Sequence, residues 1–275
     1  MTTAPAADPV RAGVLAELAG LGPFFALDSH PARSPAVAPW RPLDELFHQP
    51  AALRAWVAAV RGALAEVSGR PVDAVEPRVA ASMAQLRLAA RLICPAFGVA
   101  LLTGGLLEVD PARMRWQPST HGALALSIRD DVMTSANRRD AACPQDPASR
   151  HDPARLADAL AVSLLAGPVR ALVQACRPFK VSEQVLWGNV ASVVHGAVAL
   201  IDTAAPRLTG EAEVIAAGLL DQPPLRGSHQ GSDRGTFRRR SCCLVYRLAA
   251  SPVPVCGDCV LERAPAPASR ASTRP

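Results

Sequence analysis

Lysine is almost absent from this chain, tyrosine occurs once, and aromatic residues make up only 4% of it. Readers of nucleic acid combine basic surfaces with stacking aromatics or a recognition motif. Neither aromatics nor a motif is available here, so a nucleic-acid partner is not expected. Also missing are a phosphate loop, a dinucleotide fingerprint, a His-Glu-x-x-His and a Ser–His–Asp arrangement. Acid–base and nucleophilic catalysis are thus left without a carrier, and so is unaided oxidation of NAD(P)H. The stretch from Met1 to Gly13 has no basic start followed by an apolar run, so no secretory signal or lipid anchor is read there. A cytoplasmic protein is the expectation. No fixed-period repeat is visible.

What is present is a chain of 275 residues, 49% hydrophobic, long enough to bury a sizeable core. Its bias to Ala, Leu, Val, Arg and Pro favours helices over strands. Two stretches carry no charge, Leu92 to Leu107 and Gln184 to Ile201. The first contains Pro95 and three glycines; the second carries Gln184, Asn189, Ser192 and His195. Both read as buried core helices rather than membrane spans.

Capping signals and apolar spacing predict a short helix from Asp8-Pro9 to about Leu21, and another from Gln49 to Val67. A third opens at Glu76-Pro77 and is broken or kinked at Pro95, before a short apolar helix to Thr103. The proline-rich run from Ser29 to Pro42 reads as a surface connector with Trp40 tucked inward. Around Pro118 to Gly122, Met114 to Gln117 and Leu124 to Ile128 alternate apolar and polar residues, which predicts a β-hairpin near 112–129. Two helices follow Asp152-Pro153, interrupted at Gly167-Pro168; a strong one runs from Ser182 to about Ala204, and another from about Leu208 to Leu220. The fold class is therefore α+β and predominantly helical. Residues 1–220 form the body, 221–263 a loop and cysteine-rich segment packed on it, and 264–275 a disordered tail.

Seven cysteines without an export signal belong in a reducing compartment, where clustered thiols hold metal more often than they form disulfides. Cys94, Cys143 and Cys176 are scattered and read as small buried or half-buried side chains. Cys242, Cys243, Cys256 and Cys259 are crowded: an adjacent pair, twelve residues, then Cys-Gly-Asp-Cys. A Cys-x-x-Cys turn offers two sulfurs to one metal centre, and Gly257 permits the tight backbone. Neighbouring residues of an extended chain point to opposite faces, so Cys242 and Cys243 need a local bend to serve one centre. An ordinary zinc ribbon, built on two Cys-x-x-Cys knuckles, fits less well. On spacing alone an iron–sulfur cluster, a structural zinc, and disulfides or inert thiols all stay open.

The run Arg239-Arg240-Ser241-Cys242-Cys243-Leu244-Val245-Tyr246-Arg247-Leu248, followed by Cys256-Gly257-Asp258-Cys259, resembles the C-terminal signature of FhuF-type ferric siderophore reductases. Weaker similarity lies in Leu21 to Phe25, Ala89 to Ala96 and Val185 to Ser192. The family holds a 2Fe-2S cluster on Cys-Cys-x10-Cys-x-x-Cys; here the spacer is twelve, the extra length falling in Ala249 to Val255, where a loop absorbs it. The resemblance implies that Cys242, Cys243, Cys256 and Cys259 are the cluster ligands. It implies an iron–sulfur oxidoreductase that passes single electrons to siderophore-bound Fe(III), of hydroxamate type. An external donor such as a ferredoxin or a flavin reductase would recharge it. The competing expectations are a siderophore-binding or iron-delivery module with a structural zinc, and a redox sensor using the same ligands.

Six arginines and one acid between residues 225 and 247 give this stretch the chain's whole excess of positive charge. Arg238, Arg239, Arg240 and Arg247 are candidates for raising the cluster's potential or docking an acidic donor or anionic chelate, against the alternative of a solvated basic edge. Gln184, Gly188, Ser192 and His195 share one helical face that could wall a substrate pocket, although close helix packing is the simpler reading. Trp116 and Trp187 read as core, and Asp130-Asp131 as a water-facing turn without a catalytic role.

Overall fold

The computed structural model describes residues 9–119, 123–132, 152–231, 236–248 and 256–261. Eight α-helices carry the body among these residues: α1 (Pro9–Gly20), α2 (Glu45–His48), α3 (Pro50–Ser68), α4 (Pro77–Thr103), α5 (Pro153–Leu160), α6 (Pro168–Cys176), α7 (Glu183–Ala204) and α8 (Thr209–Leu220). Proline occupies the first turn of α3, α4, α5 and α6, where its fixed φ suits a helix start and its missing N–H is not needed. Gly69 and Gly104 end α3 and α4 in the left-handed conformation that glycine adopts without steric penalty. The predicted cysteine-segment loop, the hairpin tip and the tail fall wholly or partly outside the described residues, as does Cys143.

The two longest helices, α4 and α7, pack along one another at the centre. Against α4 lie α1, α3 and α6; against α7 lies α8, which in turn packs on α5. Both central helices are long and apolar enough to cross a membrane, but 72% and 61% of their apolar windows are buried inside this protein. Their hydrophobic surface is consumed by the protein's own core.

Three expectations need correction. The helix from Pro77 is not broken at Pro95 but runs unbroken to Thr103. Proline removes one backbone donor and crowds the preceding turn, yet every residue from Arg91 to Leu101 is buried, and that packing holds the helix together. The hairpin is half of a larger sheet: β1 (Asp28–His30), β2 (Arg41–Pro42), β3 (Met114–Trp116) and β4 (Leu126–Arg129) order as β1-β4-β3-β2. β1 runs parallel to β4, with Asp28 opposite Ser127, and β2 lies antiparallel to β3, with Arg41 opposite Trp116. The supposed surface connector thus supplies both edge strands, with Trp40 half-buried. Pro42 sits on an edge, where a strand tolerates proline. Thirdly, Asp130 does not simply face water: its carboxylate accepts the amide of Ala32 at 3.0 Å, while Asp131 is exposed and pairs with Arg129.

A buried arginine organises the junction between helices and sheet. Arg91, 2% exposed, fans its guanidinium onto the carbonyls of Pro23, Phe24, Ala26 and Leu124. Burial pushes its pKa down to about 10, so it stays charged at neutral pH. The loop after α1 crosses α4 at Gly98, where a Cβ would meet Leu18 at 2.6 Å and Phe25 at 3.0 Å. The Leu21 to Phe25 and Ala89 to Ala96 segments therefore meet in space. Trp116 packs edge-on against Trp56 and donates to Glu45 at 2.9 Å, confirming its place in the core.

Replacing Arg91 with Met strands four carbonyls in the interior, and we expect a stability loss of roughly 3 to 5 kcal/mol in urea unfolding. A second prediction concerns pH. His30, 9% exposed, bonds Ser127 through Nδ1 at 2.8 Å. Burial first, then Arg115 and Arg129, lower its pKa to about 4, against a smaller opposing pull from Asp130 and Asp131. Because the unfolded chain binds this proton more readily than the native state, stability is full above about pH 6.5 and falls as the pH drops toward 4. Urea midpoints at about pH 7 and about pH 5 should differ less in His30→Gln than in the parent.

Candidate iron–sulfur site

Ser182 caps α7 by accepting the amide of Val185 at 3.3 Å. One face of the helix then carries Gln184, Gly188, Ser192 and His195, with Asn189 beside it. The C-terminal segment sits on this face. Ser241 rests against Gly188 so closely that a Cβ there would fall on its hydroxyl, which donates to the carbonyl of Gln184 at 2.8 Å. Ser192 is hydrogen-bonded to the Asp258 carboxylate. His195 stacks on Phe237 with centroids 4.2 Å apart, and His229 stacks on the ring at 5.4 Å. Trp187 is buried, as expected of a core residue.

The segment is secured from other directions as well. A short ribbon, β5 (His229–Gln230) and β6 (Arg238–Arg239), places His229 opposite Arg239. The Arg239 amide donates to the Asp258 carbonyl at 2.9 Å, joining the ribbon to the Cys-x-x-Cys turn. From α4, Ser82 donates to the Cys243 carbonyl at 2.9 Å. Leu248 packs with Ala65, Val75 and Val79, and Arg70 donates to the Arg247 carbonyl at 2.8 Å.

The four crowded cysteines meet here, and two sulfur–sulfur contacts run across the site. Cys242 lies 3.8 Å from Cys259, and Cys243 lies 3.9 Å from Cys256. A tetrahedral metal with thiolates at about 2.3 Å holds any two sulfurs about 3.8 Å apart. Each pair therefore has the spacing of two ligands on one metal. Among the described residues no three His, Cys, Asp or Glu side chains converge on a single ion position, which a four-cysteine zinc site requires. The opposite-facing problem of the adjacent cysteines is resolved by giving each its own partner across the site. Leu244, at φ 72°, bends the chain directly afterwards, and its amide donates to Cys242 Sγ at 3.3 Å. The Cys-x-x-Cys turn closes through the Cys259 amide on the Cys256 carbonyl at 2.9 Å.

Thiol acidity follows the grouping. Hydrogen bonds from the Cys242 and Cys256 thiols, helped by Arg239 against the cost of burial, lower the pKa of Cys243. Its two donors are pushed up correspondingly. Cys94 and Cys176 are the contrast: burial above all raises both to about 12, and they are inert core residues.

Of the four candidate arginines the structure puts one at the sulfurs. Arg239, 2% exposed, reaches Cys256 Sγ at 2.6 Å and Asp258 at 3.2 Å through Nη2, and Asn189 Oδ1 at 3.2 Å through Nη1. Its Nε is buried without a hydrogen-bond partner among the described residues. Burial disfavours its charge, but Asp258 and the Cys243 and Cys256 sulfurs outweigh that and raise its pKa. Arg238 is exposed and holds the Gly257 carbonyl at 2.8 Å; Arg240 is exposed. Arg247 turns back to the body and pairs with Glu76 at 2.5 Å. Sequence reasoning overlooked the roles of Asn189, Ser82 and Asp258. The available signals were an amide in mid-helix among apolar neighbours and an acid inside the Cys-x-x-Cys turn.

Four crowded cysteine sulfurs, two cross-site contacts at metal-pair spacing, and a buried N–H beside them that lacks an acceptor among the described residues fit a cluster that brings sulfur of its own. The class is an iron–sulfur protein of the 2Fe-2S kind. Residues 239–261 match the family model of the FhuF 2Fe-2S C-terminal domain. No curated protein matches the chain.

Gly188→Val should test the seat without touching a cysteine. We expect helicity by far-UV circular dichroism to stay at the parental level while the cluster is lost at least about tenfold faster in air, followed by visible absorbance. Parental retention would show that the α7 seat does not hold the segment.

Proposed function

We propose that this protein is a cytoplasmic ferric siderophore reductase in which Cys242 and Cys259 hold one iron of the 2Fe-2S cluster and Cys243 and Cys256 hold the other. The observation that carries the reading is the pair of cross-site sulfur contacts at metal-ligand spacing inside a segment that matches the FhuF 2Fe-2S domain. When bound, the cluster supplies a store for one electron at a time. The rest of the chemistry asks little of side chains. Siderophore oxygens hold Fe(III) tightly and Fe(II) weakly, so one electron per iron, with no proton moved and no covalent bond made to the protein, releases the metal.

Burial divides the ligands in a way that suits such transfer. Cys243 and Cys259 are buried against the body, whereas Cys242 and Cys256 are half-exposed, leaving one edge of the site near docked partners. Around that edge Arg238 and Arg240 are exposed, a local charge suited to an anionic ferric hydroxamate and to an acidic electron donor such as a ferredoxin or flavin reductase.

Protein purified without air should contain about two irons and two sulfides per chain and be bleached by dithionite. The reduced protein, mixed with a ferric hydroxamate and a ferrous-specific chelator, should regain its colour as one Fe(II) appears per electron. Cys243→Ser and Cys256→Ser should each lower bound iron. A cluster that is reduced yet never reoxidised by the ferric chelate would overturn the reductase reading and favour a redox sensor. One zinc per colourless chain would overturn the ligand assignment.

A further inference from the structure

We propose that Arg239 is the residue that sets the reduction potential of the cluster, and that Asp258, fixed by Ser192, is a positioning residue that aims and partly neutralises it. This rests on the ligand assignment above and deepens it.

Two other arginines of the segment are spent elsewhere. Arg247 is bound to Glu76 and Arg226 to Asp221, and both pairs are exposed to solvent that screens them. Arg239 is instead enclosed, with one nitrogen on a ligand sulfur and another on a buried amide oxygen. A charge in such a place is weakly screened. Electron uptake adds a negative charge to the cluster, so a fixed neighbouring cation favours the reduced state, and N–H donation to sulfur acts in the same direction.

Two details separate tuning from mere support. A structural arginine would be expected to satisfy all its buried donors on protein acceptors, whereas Arg239 leaves Nε without one among the described residues. An unpaired buried N–H is costly and calls for an explanation; an acceptor carried by the cluster supplies it. The second detail is that one nitrogen, Nη2, reaches both the Cys256 sulfur and the Asp258 carboxylate, whose other oxygen meets the Ser192 hydroxyl. The carboxylate therefore holds the guanidinium at the sulfur while offsetting part of its charge.

The test is the midpoint potential of the loaded protein, measured by spectroelectrochemistry, for Arg239→Gln, Arg239→Lys, Asp258→Asn and Arg240→Gln. Arg239→Gln should disfavour reduction by at least about tenfold, which is about 59 mV for a one-electron couple. Arg239→Lys should recover part of that, and Asp258→Asn should move the potential the opposite way. Arg240→Gln, exposed and of equal charge, should shift the equilibrium less than about threefold. Should Arg239→Gln fail to retain a cluster, the opposite signs of Arg239→Lys and Asp258→Asn still decide the matter, because a loosened, wetter site would move both the same way. Shifts of the same sign, or a loaded Arg239→Gln with the parental potential, overturn the inference while leaving the ligands in place. A parent that binds no iron overturns the ligand assignment instead.

Discussion

The arrangement of this protein turns on the side-chain amide of Asn189, which has no solvent exposure and must therefore find every partner inside. Its Nδ2 reaches the carbonyl and hydroxyl of Ser82 at 3.2 and 3.0 Å and Gln85 Oε1 at 3.0 Å, all on α4. Its Oδ1 accepts from Arg239 at 3.2 Å. One amide thus fixes the register of the two central helices and the landing point of the C-terminal segment. Apolar packing brings α4 and α7 together, but it is non-directional; the amide determines which residues face each other. Because Ser82 also holds the Cys243 carbonyl, the same node reaches the cysteines by two routes.

Much of this was legible in the sequence, for reasons that can be named. Helix starts announced themselves through Pro77, Pro153 and Pro168, and the cysteine group through density and spacing. Other features were hidden by their size. β1 spans three residues and β2 two, too few for alternation to register, and they join the sheet only because distant β3 and β4 offer them edges. Pro95 misled because a local rule was overridden by burial of the whole neighbouring helix. The face of α7 was noticed for its polar and small residues, but its partner is a segment some fifty positions later, which helical spacing cannot reveal.

The basic run between residues 225 and 247 carries a second lesson. Read along the chain it is a block of positive charge; in space it is divided. Arg226 is bound to Asp221, Arg239 to Asp258 and Arg247 to Glu76, each acid lying outside the run. What the count suggested was one surface is three separate ion pairs and a remainder, Arg238 and Arg240, exposed among the described residues. Charge counted by sequence window measures composition; the field at a site depends on which charges are buried and already matched.

The sulfur pairing has a consequence for assembly. Both cross-site sulfur contacts join residues 242–243 to residues 256–259, so the four-sulfur site needs both stretches. A metal gripped by either pair staples the two stretches together, as a disulfide joins distant parts of a chain. Capture of iron therefore behaves as a logical AND: both stretches must already be docked on the body before a complete site exists, and a half-folded chain has nothing with which to hold the cluster.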